Sequence, residues 1–281
     1  MKPLLVLATA LASLAAAKHA AQGIVLRTDS THNLLVVSCE AIPGYMDAME
    51  MEFTVREPKA LAGLKPGSGV KFTIVARGSK LYAEDVHENS TANFESEPMQ
   101  AGELSALANM LNPAAKALSV GERVPDFGLT DQTGKTIHLA DFEGKVVALT
   151  FGYSRCPNPN YCLRLSNNLA RVAQRLHSGD LILITIMIDP EHDRGETLTQ
   201  YAAVWKADPA SWHFLTGPLA EIKQVAALFG MNFWSAEGLL THTLHTAVID
   251  RKGQLAVNLE GNQFSAQELG DLVRTVMERP N

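Results

Sequence analysis

Residues 146–166 read VVALTFGYSRCPNPNYCLRLS, and the fold of the second half of the chain turns on how they are parsed. VVALTFGY is a near-continuous apolar run, the pattern of a central strand covered on both faces. From Cys162 to His177 the apolar spacing becomes helical. Between the two patterns stand Cys156 and Cys162, separated by five residues that include Pro157 and Pro159. A continuous helix cannot join the two sulfurs. Six residues rise roughly 9 Å along a helix axis, beyond the roughly 4.4–6.8 Å Cα separation of a disulfide. Each proline also removes an N–H and resists a helix interior, so a loop that folds back is expected here. A helix N-terminus stabilises an anion, which favours a thiolate. A loop stiffened by prolines loses less entropy when two thiolates converge on a third partner. Metal clamp, redox disulfide and structural staple all remain open at this level, because two cysteines alone are a weak metal signal.

Outward from this stretch, LILITIMID (181–189) reads as a second buried strand, Glu196 to Trp205 as a helix and WHFLTG (212–217) as a short strand. Leu219 to Phe229 reads as a helix. HTAVID and QLAVNL form a hairpin across Arg251-Lys252-Gly253, and a last helix runs from about Ser265 to Glu278. Upstream, VPDFGLTDQTGKTIHLADFEGK (124–145) reads as a hairpin plus a turn. Strands alternating with helices, then a terminal hairpin and helix, specify an α/β sheet with helices on both faces.

The N-terminal part has a different texture. GIVLRTD, NLLVVSC, MEMEFTV, GVKFTIVA and KLYAEDVH are short strand patterns between Gly23 and His87, separated by Asp/Ser/Thr, Pro-Gly and Gly-Ser clusters. Such a set must bury one face and protect its edges, which points to a small closed barrel. Residues 89–118 are rich in Asn, Ala, Ser and Glu, and are expected to be a linker or belt with a short helix from about Gly102 to Leu111. The expected organisation is therefore a leader over 1–17, a barrel over 23–88, a linker over 89–118 and an α/β domain over 119–281.

The leader is MKPLLVLATALASLAAA, with Lys2 ahead of an apolar run from Leu4 to Ala17 that ends in small residues. It has the form of an export signal, either cleaved or kept as a tether to the inner membrane. Export places the cysteines where disulfides persist. Three cysteines are an odd count, which leaves Cys39 outside the Cys156/Cys162 pair. The net charge of -6, with no cluster of Lys and Arg, excludes nucleic acid as the main partner.

FGYSRCPNPNYC, MIDPEHDRGETLTQY, WHFLTG and HTLHTAVIDRKG occur in that order from about Val120 onward. Together they resemble the Sco/SenC family of copper-binding, thioredoxin-like proteins. The resemblance implies a thioredoxin-like fold and one copper ion held by Cys156, Cys162 and a histidine ahead of a strand that ends in Asp and a Gly turn. His242 matches, eight residues before Asp250. His245 is the rival; it leads directly into the HTAVID strand, where alternation puts it on a sheet face, packed or exposed. Asp189 and Asp193 match acidic family positions and are expected to shape the site or a surface loop. His138, His177 and His213 read as ordinary polar residues. The commonest family pattern has three residues between the cysteines, against five here.

SCEAIPGYMDAMEMEF (38–53) places Cys39, Met46, Met49 and Met51 close together. Alternation puts Met49, Met51, Phe53 and Val55 on one face, which fits a barrel core. The Gly23–His87 segment also resembles the CusF-like copper-binding domain, an OB-type barrel in which a histidine and two methionines hold Cu(I) under a tryptophan. Met49 and Met51 match the methionine pair, Cys39 falls where the histidine is expected, and Met46 stands at the tryptophan position. Both departures substitute sulfur, the softer donor for Cu(I).

The resemblances imply a copper metallochaperone that passes copper to the CuA-bearing subunit of a cytochrome c oxidase, with other periplasmic copper or thiol-redox proteins as further partners. The competing reading is an enzyme, a thiol–disulfide oxidoreductase cycling Cys156 and Cys162. No proline occurs between Pro218 and Pro280, where such enzymes usually place one before the strand facing the cysteines, and this weakens it. A peroxidase needs a Thr or Ser and an Arg in positions that Ser154 and Arg155 do not fit. A copper buffer with no recipient is not separated from the chaperone by sequence.

Overall fold

The computed structural model describes residues 18–89, 117–236 and 239–280. The leader and the Gly102–Leu111 helix expected from the sequence lie outside the described residues. Five strands close into a barrel: β1 Lys18–Asp29, β2 Leu34–Cys39, β3 Met49–Val55, β4 Gly69–Arg77 and β5 Lys80–Glu88, in the order β1-β2-β3-β5-β4. All pairs are antiparallel except β3 with β5. The first strand is longer than its sequence pattern because it serves two neighbours. Its N-terminal half pairs with β4 and its C-terminal half with β2, with a register shift between Val25 and Arg27. Gly23 lies where the two pairings overlap, and a Cβ there would stand 2.1 Å from the Ser38 carbonyl oxygen. Only glycine permits that approach. Inward residues Val25, Leu35, Val37, Phe53 and Ile74 fill the barrel.

The second unit opens with a hairpin, β6 Gly128–Thr130 and β7 Thr136–His138. The main sheet follows: β8 Val146–Gly152, β9 Leu181–Met187, β10 Trp212–Leu215, β13 His245–Ile249 and β14 Leu255–Glu260, in the order β10-β9-β8-β13-β14. β8, β9 and β10 are parallel, and β13 and β14 run against them. Every residue of β8 and β9 is buried, as a strand covered on both faces requires. The helices are α1 Arg164–Arg175, α2 Gly195–Val204, α3 Leu219–Leu228 and α4 Ala266–Met277. Leu165, Leu198 and Leu272 from α1, α2 and α4 pack one sheet face with Ala148 and Leu183, while Ile222 and Val225 of α3 pack the other with Leu149 and Ile184. Ser265 caps α4 through a capping box with Glu268. Among the described residues no helix is long and apolar enough to cross a membrane.

The sequence reading did not foresee a further hairpin, β11 Phe233–Ala236 with β12 Leu239–His242. The cysteine segment also differs in detail from the expected loop. It is irregular only to Asn158, whose side chain accepts from the Asn160 N–H, and a wide helical turn runs from Pro159 to Leu163. Proline is tolerated at the first helical position, where its missing N–H has no partner to lose. Cys162 therefore lies on a helical turn, as the helix-start reading required, and Pro159 opens that turn.

The barrel and the α/β unit share a core. Ile24, Leu26 and Val36, on the outer face of β1 and β2, join the cluster that contains Leu272 and Val273 of α4. At its centre the Asp271 carboxylate is fully buried. It accepts hydrogen bonds from Ser38 Oγ at 2.7 Å, Arg274 Nη2 at 3.0 Å and Arg175 Nη2. Arg274 also reaches Glu50 Oε2 at 2.6 Å. Asp271→Ala leaves two guanidinium groups facing the interface without their carboxylate, at a cost of about 3 kcal/mol. Calorimetry should show melting lowered by roughly 6 °C, and Asp271→Asn, which keeps an acceptor for Ser38, should recover part of it.

Candidate metal centre

Cys156, Cys162 and His242 come together at the end of the sheet where β8 finishes. Cys156 lies just past β8, Cys162 on the turn that leads into α1, and His242 at the end of β12. The two thiols are free. Cys162 Sγ is 3.6 Å from His242 Nε2. His242 Nδ1 lies 2.9 Å from the Thr243 carbonyl, which anchors the ring and turns Nε2 toward the Cys162 sulfur. Metal–sulfur and metal–nitrogen bonds of about 2.3 and 2.0 Å, at a near-tetrahedral angle, set two donors roughly 3.5 Å apart. The observed separation fits two ligands of one soft ion. Cys156 completes the trio, with the Cys162 thiol and His242 both hydrogen-bonding toward its sulfur. Among the described residues no three imidazole, thiol or carboxylate groups are preassembled around a metal position.

The protons are divided unequally. The Cys162 thiol hydrogen bond is the main cause that lowers Cys156, to about 4, against the penalty of burial; His242 and the Cys162 and Asn158 backbone add to it. Cys162 is raised well above the ordinary thiol range by the adjacent Cys156 thiolate and by its own burial. The pair therefore holds one proton between two sulfurs at neutral pH. A metal taking both sulfurs expels that proton.

The approach to Cys156 is clamped from the far side. Asp193, fully buried, accepts from the Ser154 N–H at 3.0 Å and from its hydroxyl. Asp189 accepts from Arg155 Nε at 3.1 Å and Nη2 at 2.7 Å, with His192 Nδ1 2.9 Å from its other oxygen. Burial pushes the Asp189 carboxyl up, but His192 and Arg155 outweigh it and hold the group below its usual range. Both acids thus fix the two residues before Cys156 and do not touch the sulfurs.

Sequence reasoning missed Tyr153. Its hydroxyl donates to the Leu240 carbonyl at 2.9 Å, tying β12 to the end of β8, and its ring meets that of His242 edge-on at 5.8 Å. The signal available was an aromatic residue closing an apolar strand three positions before a cysteine. His245, the rival ligand, is buried in β13 with Nδ1 3.4 Å from Asn258 Oδ1.

In the barrel, Cys39 ends β2 directly across from Met49, and Met51 faces Val37. Cys39 is fully buried, and burial, with a smaller push from Glu268, raises its thiol to about 12. Met46 and Met51 are half-buried against the cluster that contains Cys39, and Met46 bridges back to Ile42 across the β2–β3 turn. Met49 is 47% exposed. Cys39, Met46 and Met51 therefore belong to one apolar cluster of the barrel, and Met49 lies exposed beside it. Tyr45, beside Met46, stacks on His19 at 3.6 Å.

Comparison with known proteins divides the chain in the same way. The family model described as SCO1/SenC matches residues 115–278, and that described as copper binding periplasmic protein CusF matches residues 18–88. An SCO2-like protein of Rickettsia typhi is 27% identical over 177 residues, 60% of this chain and 83% of the relative. An SCO1 protein homolog of Bacillus subtilis is 27% identical over 106 residues, 37% of this chain and 54% of that protein. Among solved structures, a SCO1/SenC family lipoprotein from Bacillus anthracis superposes with a TM-score of 0.51 at 22% identity, covering 58% of this chain and all of that one. BsSco, described as a Sco family cytochrome c oxidase assembly protein with a disulfide switch, gives 0.50 at 21% identity over 58% of this chain and 98% of its own. At these identities the structures show the fold, which is thioredoxin-like.

Proposed function

Because the chain belongs to the SCO1/SenC family, we propose that it is an exported copper metallochaperone that takes copper as cargo on Cys156, Cys162 and His242. The observation that carries this reading is the 3.6 Å approach of Cys162 Sγ to His242 Nε2, with the low thiol of Cys156 beside them. Two thiolates and one imidazole are a soft set that selects Cu(I), and the imidazole also suits Cu(II). Cys39, Met46, Met49 and Met51 form a second Cu(I) site in the barrel, supported by the match to the CusF model. The setting is the periplasm, with the leader cleaved or kept as a tether. The recipient is the CuA-bearing subunit of a cytochrome c oxidase, in line with the assembly role given for BsSco. Transfer is a ligand exchange, in which incoming thiolates replace Cys156 and Cys162 one at a time. Copper keeps its oxidation state and is never free.

The depressed Cys156 thiol favours a second reading, a reductant that attacks a target disulfide, passes through a mixed disulfide and leaves as Cys156–Cys162. One experiment separates the two. Reduced, copper-loaded chain is mixed anaerobically with the metal-free, dithiol form of a CuA-bearing domain, and the acceptor's copper is measured after separation. The chaperone reading expects copper on the acceptor from the parent chain and little from Cys156→Ser. If copper stays on the chain while the copper-free form reduces the oxidised acceptor, the oxidoreductase reading stands instead.

A further inference from the structure

One short stretch, the β14–α4 loop from Gly261 to Phe264, touches both halves of the metal centre. The Gly261 N–H donates to the Leu244 carbonyl at 2.8 Å, two residues after His242. The Asn262 side-chain amide donates to the Asn160 carbonyl, two residues before Cys162 and inside the wide turn that aims it. Asn262 is 2% exposed, and its amide oxygen accepts from Gln263 Nε2 at 3.3 Å. On α1, Arg164 Nη2 donates to the Gln263 carbonyl at 3.2 Å and Asn168 Nδ2 to the Phe264 carbonyl at 3.0 Å. Gly261 takes a φ of +78°, a conformation that L side chains resist, and this lets the chain leave β14 and reach both anchors. Across the interdomain cleft the loop faces Gln22 and Glu40 of the barrel.

We infer that Asn262 is a positioning residue for copper binding: its amide locks the Cys162 turn against the loop that holds the His242 segment, and so fixes the sulfur–imidazole separation. The chemistry of the side chain matters. The amide N–H of the buried Asn262 points at the Asn160 carbonyl. A carboxylate of the same shape offers only acceptors to that carbonyl and repels it. Removing such an outer partner of a metal ligand typically weakens binding by about 10–100-fold. The inference rests on the assignment of copper to Cys156, Cys162 and His242.

The test uses the full chain carrying Cys39→Ser, so that the barrel does not compete, and measures Cu(I) affinity against a chromogenic chelator. The thiolate-to-Cu(II) absorption of the same proteins is recorded as well. Asn262→Ala and the isosteric Asn262→Asp should each weaken Cu(I) by about 10–100-fold and shift the thiolate–Cu(II) band. Asn262→Ser, which keeps a donor, should recover a substantial part of both. Melting of the copper-free variants is followed alongside; where the alanine variant melts early, the aspartate variant decides. Parent-like affinity and an unmoved band in Asn262→Asp overturn the inference, and so does a serine variant no better than alanine. A parent chain whose copper does not depend on Cys156 overturns the ligand assignment instead, and is recognised before any Asn262 variant is read.

Discussion

Iodoacetamide should alkylate Cys156 of the reduced, copper-free protein at pH 5.5 almost as fast as at pH 8, while Cys162 and Cys39 stay unmodified across that range. With its thiol near 4, Cys156 is almost wholly thiolate at pH 5.5, whereas an ordinary thiol with a pKa of about 8.5 is ionised in roughly one molecule per thousand. Nucleophilicity falls with pKa, with a slope of about 0.4–0.5, so part of this thousandfold advantage is lost. The net gain over an ordinary cysteine at pH 5.5 is about tenfold, and the shape of the profile is more telling than the rate. The Cys156 profile should be flat from pH 5.5 to 8, where an unperturbed cysteine gains a decade per pH unit. Cys162 keeps its proton because the neighbouring thiolate and burial both oppose a second charge. Cys39, at about 12 and fully buried, needs local opening before it reacts. Mass-spectrometric mapping of the modified sites decides the matter. A Cys156 profile that rises with slope one through pH 8 would show that the pair does not share its proton as the geometry requires. In Cys162→Ala, which removes the donor, the flat profile should become steep, since the hydrogen bond of the second thiol is the leading cause of the depression.

Much of this architecture was legible because strong local patterns were also the globally correct ones. VVALTFG and LILITIM lack the alternation of a half-exposed strand, and both are buried on two faces in the sheet. The docking of the barrel had a signal of the same kind that went unused. GIVL and LLVV are apolar on both faces, and Ile24, Leu26 and Val36 indeed turn outward onto α4. The β11–β12 hairpin carried no such signal, since its strands are only four residues long and FWSA does not alternate. His242 was therefore found by resemblance to a family, and its place at a strand end came only with the fold. Contacts such as Asn262 with Asn160, 102 residues apart in sequence, are set by how α1 and α4 pack and leave no local trace.

The second large effect concerns the number of copper ions held. Anaerobic titration of the reduced chain with Cu(I) should saturate at two equivalents, and single substitutions should remove them separately. Cys156→Ser takes away a thiolate that stands ready without deprotonation, and leaves one sulfur, Cys162, and one imidazole at 3.6 Å. Serine keeps the volume of the side chain but is a hard donor, so the C-terminal equivalent should be lost to a competing chelator. His242→Ala removes the one nitrogen donor and should release the same equivalent. Cys39→Ser acts at the other end. The Cys39 thiol must lose a proton that burial holds to about 12, so copper binding there expels a proton and becomes tighter as pH rises. Without that sulfur only thioethers remain, and Met49 is half exposed. The barrel equivalent should then disappear while the C-terminal one persists. Because the two units share a core through Asp271 and α4, melting of each copper-free variant must accompany the titration. Stoichiometry unchanged in Cys156→Ser, His242→Ala and Cys39→Ser alike would refute both ligand sets. Loss of both equivalents from any one substitution, in a chain that still melts normally, would show that the barrel and the cysteine turn hold copper as a single coupled site.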